Sequence, residues 1–136
     1  MAGTPWIGVA ADALLVVHGF FIVWAALGAI AVLRWPRLAW LHLPAVTWVV
    51  WIEWSGGICP LTPLEVQWRI AAGQAGYQGG FIEHYVTNAI YPQGLTREVQ
   101  FVLGALVLLL NAGIYARVVV LRRRALAARP LHGPAA

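Results

Sequence analysis

His18, Glu53, Cys59 and His84 are the side chains of this sequence best suited to chemistry, and all four stand in or beside apolar stretches. Imidazole, carboxylate and thiolate are ligands for Zn, Cu or Fe, so these four could fill a coordination set. Their spacing matches no established metal motif, and a site built on CxxC pairs is excluded because Cys59 is the only cysteine. Haem ligation would fall to His18 and His84. Neither a CxxCH attachment nor a pair of histidines at matching depth on facing long helices accompanies them. The cofactor is therefore open between a transition metal, a haem and none. Asp12, Glu65, Glu83 and Asn111 complete the polar set; on its own, Cys59 reads as a packed thiol.

What brings such groups together is a membrane hairpin. Residues 7–33 form an apolar run broken only by Asp12 and His18, longer than the ~20 residues a bilayer core requires. No Lys or Arg precedes it and it exceeds a signal-peptide core, so it is expected to be retained as a span. "RWPR" (34–37) is a tight connection, and 38–58 makes a second span with Pro44 in its first turns. Folding the two spans back about Pro36 sets His18 at the depth of Glu53 and Asp12 at the depth of Cys59, to within a helical turn of ~5.4 Å. Ionisable groups at membrane depth cost at least ~2.5 kcal/mol each when uncompensated, so they face the bundle interior and mark a functional site by default.

Residues 99–121 form a third span, started by "LTRE" with Thr96 as cap and Glu98 on the positive end of the helix dipole. Gln100, Gly104, Asn111 and Tyr115 share one broad face of it, a stripe that reads as interhelical packing. His42, at the inner end of span two, is expected to snorkel to the interface, and His132 lies in the tail.

Between spans two and three, "WSGGICPLTPLE" stops one helix and starts another. Gly56, Gly57 and Pro60 end the span; Thr62, Pro63 and Glu65 have the spacing of a capping box, which predicts a short helix over 63–72. "GYQGG" is a turn, and "FIEHYVTNAIYP" predicts a second short helix that turns His84 rather than Glu83 inward.

The fold class expected is thus all-α: an integral membrane bundle of three transmembrane helices with two short interfacial helices between the second and third. Residues 1–121 form the single domain, and 122–136 a basic, disordered cytoplasmic tail. Composition agrees. Of 136 residues 61% are hydrophobic and 10% charged, and mean hydropathy is +0.74, against roughly 25% charged in soluble domains. The net charge of +4 comes from nine arginines and no lysine, grouped at the ends of spans. It reads as topology rather than nucleic-acid binding: by the positive-inside rule the C-terminus is cytoplasmic, the N-terminus outside, and residues 59–96 at the outer face.

The segments "ADALLVVHGFFIVW", "LRWPRLAWLHLPAV", "CPLTPLE", "GGFIEHY" and "YPQGLTREVQ", in that order, resemble a family of small bacterial membrane proteins known as domain of unknown function 2784. The resemblance covers about residues 8 to 121 and implies a bacterial inner-membrane location without implying an activity. Three functions stay open. One is a metal or cofactor site formed by His18, Glu53, Cys59 and His84. Another is an accessory or assembly subunit of a larger membrane complex, its polar groups tying helices together. The third is an enzyme acting on a lipid or quinone-like molecule, with His18 or Glu53 as base and Cys59 as nucleophile, beside an apolar crevice.

Overall fold

Long apolar runs rich in Ala, Leu and Val fold as helices, which bond every backbone group within the segment, and here they tolerate Gly19, Pro44 and Gly113 in their interiors. The computed structural model, which describes residues 5–87 and 96–128, is built from such helices. Helix α1 spans Pro5–Arg34 and closes on a 3₁₀ turn, Pro36–Leu38; α2 spans Ala39–Ser55, α3 spans Leu61–Ala71, and α4 spans Arg97–Ala127. A single π turn, Glu83–Thr87, lies between α3 and α4, and no strand occurs among the described residues. α1, α2 and α4 pack on one another, and α3 packs on α1.

Two helices, α1 and α4, are long and apolar enough to cross a membrane. The sequence predicts three, and the difference lies in α2: it ends at Ser55 rather than at residue 58 and has 17 residues, about 25 Å at 1.5 Å per residue against the ~30 Å of a hydrocarbon core. Its end is built by Gly56, which takes the left-handed conformation at φ +71° while the Gly57 N–H donates back to the Ile52 carbonyl at 3.1 Å. A Cβ on Gly56 would run into the Arg97 guanidinium, which donates to the Trp54 carbonyl at 2.8 Å and satisfies the last turn of α2 from the start of α4. α4 starts as expected: Thr96 accepts from the Val99 N–H. It then runs through Arg122, Arg123 and Arg124 to Ala127, past the boundary at 121 drawn from sequence, and residues 129–136 lie outside the described residues.

The interior is small or polar and the outside is large and apolar. Ala11, Ala25, Ala29 and Val32 are buried, as are His18, His42, Glu53, Thr62, Glu65 and Asn111, whereas Trp40 is 88% exposed and Phe20, Leu41, Trp51 and Leu109 are mostly exposed. Small residues let helices approach closely. At Gly28 a Cβ would sit 2.5 Å from His42 Cδ2, and at Gly104 2.5 Å from Trp54 Nε1, so both contacts require glycine.

His42 is fully buried and does not reach the interface as expected. Its Nε2–H donates to the Trp24 carbonyl of α1 at 3.1 Å, which leaves Nδ1 to accept from the Tyr115 hydroxyl of α4 at 3.0 Å. One imidazole therefore ties three helices, and with both nitrogens engaged inside the bundle there is nothing to draw it outward. One turn away Asn111 donates to the Ala25 carbonyl at 3.1 Å and to its own helix at Val107, which fits the packing role expected of that stripe.

Candidate functional site

The helix–turn–helix from α2 into α3 begins the site. α3 starts at Leu61 with Pro60 as its cap residue, two residues earlier than the capping-box spacing predicts, and the Thr62 N–H donates to the Cys59 carbonyl at 2.9 Å. Thr62 and Glu65 therefore form no capping box. Glu65, fully buried, is a hub. Its Oε1 accepts from Arg69 Nε at 2.9 Å and from the Tyr85 hydroxyl at 2.9 Å, and its Oε2 accepts from the Tyr77 hydroxyl at 3.0 Å. Arg69 also donates to Gln74 at 3.0 Å and lies 3.4 Å from Asp12, whose side chain is largely exposed. Burial, and next the Glu65 carboxylate to which they donate, push both phenols, Tyr77 and Tyr85, above the ordinary tyrosine value.

The hub fixes the segment that leaves α3. Gly73 and Gly79 take positive φ of +78° and +86° and let the chain fold back. Tyr77 stacks on His84 with centroids 3.9 Å apart and planes 11° from parallel, while the Phe81 ring lies 4.3 Å from the imidazole of His18. Glu83 accepts from the Gly80 N–H at 3.3 Å.

Under that segment lies a cavity of about 200 Å³. α1 contributes His18, Phe21 and Ile22; α2 contributes Trp48, Val49, Ile52 and Glu53; Gly56–Cys59 and Gly79–Glu83 close the two sides, and Gln100 comes from α4. His18 and Glu53, both buried, each carry an atom with no hydrogen-bond partner among the described residues: Nδ1 of His18 and Oε2 of Glu53. Three other buried atoms, Trp24 Nε1, Thr62 Oγ1 and Asn111 Oδ1, also lack a partner among the described residues and belong to residues outside this wall; the two on His18 and Glu53 meet at one cavity, which marks it as a place for a ligand to bond.

Of the residues singled out from sequence, His18, Glu53, Cys59 and Glu83 line this cavity, Asp12 and Glu65 belong to the Arg69 cluster, and Asn111 serves helix packing. His84 departs from expectation: it is held in a stack against Tyr77, and Glu83, not His84, reaches the cavity wall. The π turn sets these two neighbours differently from the regular helix predicted there; residues 88–95 of that predicted helix lie outside the described residues. Three of the four residues named as metal ligands, His18, Glu53 and Cys59, thus line the cavity without His84, and among the described residues no group of three or more His, Cys, Asp or Glu is placed to hold a metal ion. The sequence reading missed Arg69, Tyr77, Tyr85 and the aromatic wall of Phe21, Trp48 and Phe81. One signal was available: Glu65 and Arg69 are spaced i,i+4 on a helix, an ion-pair spacing.

Residues 8–116 match the model of a family described as a protein of unknown function, DUF2784. No curated protein and no solved structure matches the chain.

Proposed function

We propose that this chain, which belongs to the family DUF2784, is a small integral membrane protein that binds an amphiphilic small molecule in the cavity beside His18 and Glu53. The observation that carries the reading is the pair of buried, unpartnered atoms, His18 Nδ1 and Glu53 Oε2, on residues that line one largely apolar cavity. A polar head bonded there and a tail among Phe21, Ile22, Trp48 and Ile52 would satisfy both kinds of wall.

Membrane insertion is supported by where the apolar surface lies. Only 28% of the apolar window of α1 and 17% of that of α4 is buried inside the protein, whereas the core helix of a soluble protein hides such a window. Three spans, rather than two, fit the reach of the chain. The 17 residues of α2 reach the lower end of the ~17–25 that span a bilayer core. The arginines of the α1–α2 turn, Arg34 and Arg37, and those ending α4 favour one cytoplasmic side under the positive-inside rule. The cavity then lies toward the outer half of a bacterial inner membrane.

The test is native mass spectrometry of the protein released from membranes in mild detergent. A small molecule bound at one per chain is expected on the wild type and absent from Val49→Trp, whose indole fills the cavity, with the variant still helical by circular dichroism. A wild type that retains no small molecule under conditions that preserve bound phospholipid contradicts the reading.

A further inference from the structure

Resting on that reading, we propose that the ligand is a cationic amphiphile: an organic ammonium ion carrying an apolar tail. The charge on the cavity wall is one-sided. Among the described residues Glu53 and Glu83 are its carboxylates, His18 its only imidazole, and no arginine lines it. Among the described residues neither carboxylate forms an ion pair, since the only pairs join Arg69 to Asp12 and to Glu65. Arg97 stands close by. Its guanidinium, however, is turned to the carbonyls of Trp54 at 2.8 Å and Glu53 at 3.4 Å and to Gln100 Oε1 at 2.8 Å, so it completes a helix end and leaves the Glu53 carboxyl group unpaired.

A buried carboxylate in apolar surroundings calls for a counter-charge or a proton. The rest of the wall suits the first. Phe21, Trp48 and Phe81 are aromatic, and the negative faces of such rings attract an ammonium group that has shed its water. Anionic heads such as phosphate, sulfate or carboxylate would meet two carboxylates on the wall, while the nearby guanidinium of Arg97 attracts Glu53 and has its hydrogen bonds taken by Trp54, Glu53 and Gln100, which disfavours them on electrostatic grounds. A neutral hydroxyl head would bond to His18 Nδ1 or donate to Glu53, yet it brings no charge to offset the carboxylate. The size is also restrictive. About 200 Å³ is smaller than the ~300–1,000 Å³ of drug-sized sites, so the cavity takes a compact head and the first part of a tail, the remainder extending into lipid.

Three probes with the same decyl tail separate the classes: decylammonium, whose N–H groups can bond to Glu53 and His18, decanol and decyl sulfate, each titrated into the purified protein in a neutral detergent. Binding is followed by tryptophan fluorescence, with Trp48→Phe to identify the signal from the cavity. The expected result is saturable binding of the cation, about tenfold or more tighter than decanol, no saturable binding of the sulfate, and loss of the cation's advantage in Glu53→Gln with decanol unaffected. If decanol or decyl sulfate binds the wild type as tightly as the cation, or Glu53→Gln keeps the preference, the cationic assignment is overturned while the cavity stands as a ligand site. If none of the three saturates, both are overturned. The wild-type series decides the matter even where Glu53→Gln fails to fold.

Discussion

At the level of single residues, the division of labour between Glu53 and Glu65 sets the character of the site. Both are buried carboxyl groups, and they differ in company. Glu65 accepts three hydrogen bonds, one from a guanidinium, and is a finished structural element; Glu53 keeps an oxygen without a partner and is available to something else. The tyrosines that serve Glu65 report on it. Burial and the adjacent carboxylate favour the neutral phenol of Tyr77 and Tyr85. The stability they lend is fully present below the ~10 of an unfolded tyrosine and is lost as pH rises through their higher folded values. Alkaline titration of tyrosinate absorbance should therefore show these two ionising late, and Glu65→Gln should bring them back toward the ordinary range; identical curves for the two proteins would contradict the hub. Glu65 was legible in the sequence as a cap and as one of a polar set, and its Arg69 partner was available from i,i+4 spacing. Its other two partners are Tyr77 and Tyr85, 12 and 20 residues onward, a closure that no local pattern encodes.

Among the helices, packing is decided by glycines and by polar groups that bridge them. His42 joins α2 to the Trp24 carbonyl of α1 and to Tyr115 of α4, and it fits only because Gly28 has no side chain. Gly28→Ala is expected to displace the imidazole and cost about 1–3 kcal/mol, read as a lower midpoint of thermal unfolding in detergent. Gly113→Ala, where a Cβ meets nothing within 4 Å, should leave the midpoint unchanged or raise it. Equal effects of the two would remove His42 from its place in the core. This is also where the sequence misleads about His42: proximity to a helix end suggests snorkelling, but partners for both nitrogens on neighbouring helices outweigh the pull of the interface. By contrast the Asn111–Tyr115 stripe and the Thr96 cap were readable, since each follows from spacing along one helix.

For the whole molecule, the arrangement is polar within and apolar without, with the polar interior gathered at two levels: His42 with Tyr115 and Asn111 at one, and His18 with Glu53 beneath the Tyr77–Tyr85 segment at the other. The first level is internally bonded except for Asn111 Oδ1 and the indole N–H of Trp24, and the second opens on a cavity. The hairpin about Pro36 made the meeting of His18 and Glu53 foreseeable, since equal path lengths from a tight turn fix equal depths. The cavity above them was not foreseeable, because it depends on how the segment after α3 folds back. Cys59, the only cysteine and part of the cavity wall, reports on whether the cavity holds a ligand. The rate of Cys59 alkylation by a maleimide should fall saturably when decylammonium or decanol is added to the protein in membrane vesicles, and should lose that protection in Val49→Trp. An alkylation rate that neither amphiphile changes would contradict a ligand site at His18 and Glu53.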